Sequence, residues 1–343
     1  MMLGEKNPVR FAIIGCGIIA QSHAKAIAEC PDAELVAVSD VLGERAQKFA
    51  KEHGVSRFFS DNEALLSLPE VEVVSVCTPS GVHGEVSMAA FRARKHVLCE
   101  KPLEIQASVM AEMIEAAETS GVQLGAVYQR RATLGATKVK ALLQQGQLGP
   151  LVLADASLKY HRSSAYYRSG DWRATWALDG GGALMNQGIH GIDMLQWLVG
   201  DIVRVRAQVR TLVHDIAVED TAVAMVEFAN GALGAIMGAT SVYPEFSTRF
   251  AIHGRDGSLV FGDHGIEHWT VGRQDQTAQM AEALSGSFSL SHRPFIENMV
   301  AVARGEADVL VSGQEARKAV DVILAIYESA RTGQAVDIAH HHH

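Results

Sequence analysis

The feature that most restricts this chain is a short apolar run, Val9 to Ile14. It breaks into Gly15-Cys16-Gly17-Ile18-Ile19-Ala20 and continues as the helix-like QSHAKAIAEC. That is strand, tight glycine turn, helix. Gly15 can take the turn, Gly17 allows close backbone approach, and the small Ala20 lets the helix pack near the strand. The start of such a helix presents free N–H groups to an anion, so Gly15, Gly17, Ile18 and Ile19 form a candidate pyrophosphate cradle. A lone G-x-G-x-x-A is a weak signal, but its surroundings fit. A second strand, Glu34 to Ser39, ends in Asp40, a carboxylate suited to the ribose hydroxyls of NAD and repulsive to the 2′-phosphate of NADP. A plain turn residue is the competing reading of Asp40.

The alternation continues. Glu44 to His53 reads as helix and Arg57 to Phe59 as strand. Asp61 caps a helix at Asn62 to Ser67. Val71 to Cys77 is the β-branched run of a strand buried on both faces, and its following Thr78-Pro79-Ser80 falls where parallel sheets bind ligands. His83 to Arg94 and Ser108 to Ser120 read as helices, and His96 to Cys99 and Gln123 to Val127 as strands. Six strands with intervening helices predict a doubly wound parallel sheet over residues 1–127. Glu100-Lys101-Pro102 follows the fifth strand directly. The proline ends the strand and holds Lys101 extended at the cofactor crevice, although a surface lysine is the bland alternative.

Near the middle the chain reads DGGGALMNQGIHGID, Asp179 to Asp193. Apolar residues recur at helical spacing from Ala183 to Val199, a segment without Lys, Arg or Glu, which predicts a buried helix. Asn186, His190 and Asp193 at i, i+4 and i+7 share one face of it. Buried polar groups need partners, whether in a structural network or on a ligand. The preceding loop, Lys159 to Trp176, is dense in Arg, Tyr and Trp. Aromatic rings stack on sugars and arginines clamp anions, so Tyr160, Arg168, Trp172 and Arg173 are candidate substrate contacts. The competing reading packs Tyr166, Tyr167 and Trp176 between domains and pairs Arg168 and Arg173 with Asp171.

The second half predicts a large sheet of its own. Leu151 to Tyr160, Val203 to Val213, Asp220 to Phe228, Ala232 to Ser241, Thr248 to His253 and Ser258 to Phe261 are strand-like, with hairpin signals at Asn230-Gly231 and Asp256-Gly257. Thr270 to His292, rich in Gly, Ser and Gln, reads as a mobile loop. Glu315 to Arg331 is an amphipathic helix with Gly333 beyond its end. This helix is expected to pack back on the first domain, with the second domain covering 128–339 and a tag remnant at 340–343.

Together, GCGIIA, Asp40, CEKP at Cys99 to Pro102 and GGGALMNQGIH at Gly180 to His190 resemble the Gfo/Idh/MocA family of NAD(P)-dependent sugar and polyol oxidoreductases. The likeness runs over nearly the whole chain. It implies an α/β fold: an N-terminal Rossmann domain joined to a C-terminal α/β domain with a large, mostly antiparallel sheet. It implies NAD as cofactor, with Thr78, Pro79, Ser80, His83, Glu100, Lys101 and Gln129 beside it. It places Lys101, His190 and Asn186 at the catalytic positions, and Arg130, Asn186 and Gln187, with Lys101, His190 and the loop residues, at the substrate. It also implies a homodimer or homotetramer formed through the C-terminal sheet.

The family usually has Asp where this chain has Asn186. Asn cannot ionise, so a neutral Lys101 or His190 is expected to take the hydroxyl proton without a carboxylate relay, unless Asp179 or Glu100 supplies the charge. The substrate reading is a secondary hydroxyl of a sugar, a sugar derivative or a cyclitol. The MNQGIH form suggests the 3-position of a UDP-N-acetylhexuronate or an anhydrosugar. A redox-neutral lyase or glycosidase that retains NAD, and a non-enzymatic NAD-binding regulator, are the competing functions.

Charge and composition agree with a small-molecule enzyme. The 343 residues carry a net charge of −9, which argues against nucleic-acid binding, and no apolar run is long enough for a membrane span. No signal peptide is expected. Cys16, Cys30, Cys77 and Cys99 lack metal-ligand spacing, so no metal site and a reducing, cytoplasmic setting are expected.

Overall fold

The computed structural model describes residues 7–339; the predicted tag remnant at 340–343 lies outside them. Six strands, β1 (Val9–Ile14), β2 (Ala33–Ser39), β3 (Arg57–Phe59), β4 (Val73–Val76), β5 (His96–Cys99) and β6 (Leu124–Ala126), pair in parallel in the order β3-β2-β1-β4-β5-β6. The order reverses between β1 and β4, the switch point of a doubly wound sheet. Helices α1 (Ile18–Ala28), α2 (Gly43–Glu52), α3 (Asn62–Leu66), α4 (His83–Arg92) and α5 (Ala107–Ser120) alternate with the strands. The central strands are apolar along their length because both faces are covered: all four residues of β4 are buried. Asp61 caps α3 as expected, accepting from the N–H groups of Glu63 at 3.0 Å and Ala64 at 3.3 Å.

The chain divides into two compact units. The first runs to Val127 and includes Ser291–Arg317; the second holds Tyr128–Leu290 and the chain from Lys318. Residues 291–317 thus group with the Rossmann domain, where the sequence reading put them in the second half. The reason is local burial. Phe295, Ile296 and Met299 of α10 (Arg293–Ala303) are almost fully buried, and Val311 O accepts from Ala126 N at 2.9 Å beside β6. The predicted C-terminal helix, α11 (Gly313–Thr332), is divided between the units near its start.

The second unit is built on nine strands: β7 (Leu151–Lys159), β8 (Ile202–Arg210), β9 (Thr221–Phe228), β10 (Leu233–Ala239), β11 (Arg249–Gly254), β12 (Gly257–Gly262), β13 (Gly265–Val271), β14 (Gln274–Asp275) and β15 (Val336–Asp337). Their order is β14-β13-β12-β11-β7-β10-β9-β8-β15. Only β7 and β10 run parallel; the other pairs are antiparallel. The Asn230-Gly231 hairpin closes as its residues require, with Gly231 at φ +86° and Asn230 Oδ1 accepting from Ala232 N at 3.0 Å.

One expectation fails here. The supposed mobile loop from Thr270 contains the end of β13, all of β14 and the helix α9 (Thr277–Ala283). Its glycines and glutamines hide local order set by capping. Asp275 Oδ1 accepts from Thr277 N at 2.9 Å, Thr277 Oγ1 accepts from Trp269 N at 2.9 Å, and the Trp269 ring is buried. The unit also holds α6 (Leu134–Gln144), a short helix α7 (Ser164–Tyr167) in the loop after β7, and α8 (Ile189–Val199), whose Gly191 packs against Leu158 of β7. Among the described residues no helix is long and apolar enough to cross a membrane.

Candidate active site

The glycine turn has the geometry its sequence implies. Gly15 sits at φ +93°, and a Cβ there would lie 2.7 Å from Cys77 C and O, so the turn can nest against the end of β4 only as glycine. Over Gly17 a Cβ would meet nothing within 4 Å. Gly17 is the N-cap of α1 and offers no side-chain hydrogen bond, which leaves the first-turn N–H groups aimed at that open space. Asp40 stands at the end of β2, 5% exposed, with Oδ2 accepting from Cys16 N and Oδ1 from Leu42 N, both at 2.9 Å. Burial, then the Asp40 carboxylate, pushes the Cys16 thiol up to about 12, so it is an inert filler here. Thr78 Oγ1, in the loop after β4, is buried with no hydrogen-bond partner. An open glycine cradle, a fixed carboxylate at the next strand end and an orphaned hydroxyl on the same sheet edge fit a dinucleotide.

The same edge carries Lys101, half-buried and two residues past β5. Its backbone is held on both sides. Glu100 Oε2 accepts from Lys101 N at 3.2 Å. Pro102 O lies 2.8 Å from His83 Nδ1, whose Nε2 lies 2.9 Å from Thr78 O, so this buried ring ties the β4 loop to the lysine segment. His83 was expected beside the cofactor; the contacts shown are with these two carbonyls. Glu100, also expected there, is buried, and its Oε1 accepts from His23 Nε2 at 2.9 Å and His292 Nε2 at 3.0 Å. Burial alone would raise Glu100, but the two histidines outweigh it and hold the carboxyl well below its ordinary range. Burial lowers His23 from its ordinary value, against the pull of Glu100, and so disfavours its charged form. Neither histidine stood out in the sequence, since 77 and 192 residues separate them from Glu100.

In the second unit the expected buried helix begins not as an α-helix but as a π-helical turn, Ala183–Gly188, continued by α8. The i→i+5 spacing changes the face on which Asn186 lies. His190 and Asp193 meet the turn that follows β6: His190 packs edge-on against Tyr128 with centroids 5.9 Å apart, and Asp193 takes a bidentate bond from Arg131 at 2.8 and 2.6 Å. Asn186 instead donates through Nδ2 to Asp179 Oδ1 at 2.6 Å. The single polar stripe expected from the sequence is therefore two separate sets. Asp179 is buried and also accepts from Ala174 N at 2.8 Å. A carboxylate thus stands one hydrogen bond beyond the neutral amide, as the sequence allowed.

The loop before the glycines gathers round Asn186. Tyr166 donates to Asn186 Oδ1 at 3.3 Å, and Gln187 Nε2 donates to the same oxygen at 3.0 Å and to Tyr166 Oη at 2.8 Å. Arg162 Nη2 donates to Gln187 Oε1 at 2.8 Å. Arg173 lies over the rings of Tyr166 and Trp172, 4.4 and 4.5 Å from their centroids, and donates to Tyr166 Oη at 2.7 Å. The partners shown for Arg173 are these rings and hydroxyls, where Asp171 was the alternative. Arg168 is exposed. Trp176 donates to Ala217 O at 2.8 Å and remains 48% exposed. Two candidates are used inside the unit: Arg130 pairs with Asp263 and donates to Thr248 Oγ1 at 2.9 Å, which Tyr160 Oη meets at 3.0 Å. Gln129 is buried. The sequence also did not single out Arg162, which reaches Gln187 across the loop, or Thr248 and Asp263, which the β11–β12 pairing sets beside Arg130.

The fold and cradle define an NAD-binding oxidoreductase. Residues 9–128 match the oxidoreductase family with an NAD-binding Rossmann fold, and residues 136–260 the GFO/IDH/MocA C-terminal domain. The chain belongs to the Gfo/Idh/MocA family. It is similar in structure to the WlbA dehydrogenase of Bordetella pertussis, solved with NADH and UDP-GlcNAcA: TM-score 0.91, 30% identity, covering 97% of this chain and 99% of that one. Among named relatives, the myo-inositol 2-dehydrogenase of Thermotoga maritima and the 1,5-anhydro-D-fructose reductase of Ensifer adhaerens are each 28% identical, covering 96% of this chain and 98% of theirs.

Proposed function

We propose that this oxidoreductase moves a hydride between a secondary hydroxyl of a carboxylated sugar derivative, of the UDP-N-acetylhexuronate kind, and NAD. The observation that carries the substrate class is the ring of Arg162, Tyr166, Trp172, Arg173 and Gln187 around Asn186. Stacked guanidinium groups and aromatic faces suit an anionic pyranoside. The likeness to the WlbA dehydrogenase points the same way.

When bound, NAD accepts the hydride; the chain must remove the hydroxyl proton. Lys101 and His190 are assigned that task, which is worth about 10²–10⁴-fold in rate. Asn186, in the separate set around Asp179, donates to that carboxylate's Oδ1. Gly15, Gly17, Ile18, Ile19, Asp40, Thr78, Pro79 and Ser80 are assigned to the cofactor.

The open face of the second unit's sheet is assigned to a second copy of the chain. Leu153, Val223, Met225 and Leu233 lie there between 47% and 61% exposed, on neighbouring registers of β7, β9 and β10.

The deciding experiment is NAD reduction across UDP-GlcNAcA, levoglucosan, myo-inositol and simple hexoses. Reduction by UDP-GlcNAcA in preference to the neutral sugars is expected. Reduction by neutral sugars alone would overturn the anionic substrate, and glycosidic cleavage without NADH accumulation would overturn net oxidation.

A further inference from the structure

The knot of His23, Glu100 and His292 takes no part in the chemistry above. Their three candidate ligand atoms lie within 4.8 Å of one another, so the first question is whether they hold a metal. The geometry argues for hydrogen bonds instead. A histidine that ligates a metal through Nε2 carries its proton on Nδ1 and normally donates it to an acceptor. His23 Nδ1 is buried with no partner. Metal at Nε2 would strand an N–H there, whereas a neutral ring that donates from Nε2 leaves only an unused acceptor on Nδ1, the cheaper arrangement. Both rings then donate to one oxygen, Glu100 Oε1, at 2.9 and 3.0 Å. The other oxygen is left to accept from Lys101 N.

We infer that His23 and His292 are positioning residues for Lys101. By holding Oε1 of Glu100 they orient the carboxylate whose Oε2 holds the lysine's backbone at the sheet edge. The elements involved are far apart in sequence: His23 lies on α1, Glu100 follows β5, and His292 is the N-cap of α10. The excursion of residues 291–317 into the first unit thereby gains a functional reason beside its packing. The catalytic consequence rests on Lys101 being a proton acceptor, as proposed above; the structural consequence does not.

The test uses the full chain and compares His292→Leu, His292→Gln and Glu100→Gln with wild type. Glutamine at 292 keeps a donor near the imidazole Nε2. Glutamine at 100 keeps the acceptor for both rings but loses the acceptor for Lys101 N. Two readouts are taken: kcat against KM on the sugar that reduces NAD, and hydrogen exchange at the Lys101 amide. Expected are a kcat loss of about 10- to 100-fold in His292→Leu and Glu100→Gln, with KM and NAD affinity kept, since small misplacements of a reacting group cost this much. Exchange at Lys101 should accelerate in the same two variants, and His292→Gln should restore both readouts. A merely structural role would lower thermal stability without splitting kcat from KM. Unchanged Lys101 exchange in Glu100→Gln would overturn the inference, as would a stoichiometric metal ion lost on His292→Leu. Should His292→Leu not fold, Glu100→Gln decides alone. Normal turnover in Lys101→Ala would instead overturn the catalytic reading of Lys101, while its amide exchange still reports on the knot.

Discussion

Asn186 stands where the family resemblance leads us to expect an aspartate, and its contacts give the amide a set of partners of its own. The amide bridges Asp179 on one side and Tyr166 and Gln187 on the other, which a carboxylate could not do without an added proton. Restoring the acid by Asn186→Asp would set two carboxylates in direct contact and raise one of their pKa values. The expected outcome is a displaced pH optimum for kcat; an unmoved profile would show that Asn186 is not coupled to the proton acceptor. Lys101→Ala and His190→Ala should each lower kcat by about 10²-fold or more, with NAD binding by fluorescence titration nearly unchanged. The residue types were legible in advance. Their partners were not: Asp179 was one of two candidates for the missing charge, and only its 2.6 Å bond to Asn186 distinguishes it from Glu100, whose oxygens are taken up elsewhere.

At the scale of elements, the π-helical turn is the main departure from sequence-based expectation. Helical periodicity marked Ala183 to Val199 as buried but could not show an extra residue in the first turn. What sets that turn is Glu219, whose carboxylate accepts from Gly182 N and Leu184 N, both at 2.9 Å, and from Tyr327 Oη at 2.9 Å. A Cβ at Gly182 would lie 1.9 Å from Glu219 O, so Gly182→Ala should force the turn apart and cost on the order of 3 kcal/mol, read by chemical denaturation. The Arg131–Asp193 pair, 6% and 1% exposed, anchors the other end of the same segment. Asp193→Ala would strand a buried guanidinium and should cost about 3–5 kcal/mol by the same measurement. The stretch from Thr270 failed as a loop for a related reason: its order comes from side-chain caps, which composition does not reveal.

For the whole molecule, the buried histidine makes stability depend on pH. His23 has a folded pKa below its ordinary value of 6.5, because burial disfavours its charge. A depressed folded value contributes stability above the unfolded pKa and loses it as pH falls below about 6.5, where the unfolded chain binds the proton that the fold refuses. Glu100, also depressed, adds the same sign of loss at lower pH. The melting temperature should therefore fall from pH 7 to pH 5, and less steeply in His23→Gln. The open sheet face gives a second expectation at this scale: Met225→Arg should shift sedimentation toward the monomer, and an unchanged assembly would move the interface elsewhere.

The sequence by itself determined the doubly wound domain, the glycine turn with Asp40 at the next strand end, the large second sheet and the place of Lys101 just past the fifth strand. Those features rest on local signals: glycine turns, strand-length apolar runs and a proline that ends a strand. Tertiary structure alone decided that residues 291–317 return to the first unit, that Arg130 pairs with Asp263, and that one carboxylate holds histidines from opposite ends of the chain. Such contacts depend on which surfaces burial brings together across separations of 77 to 192 residues, and no local periodicity carries that information.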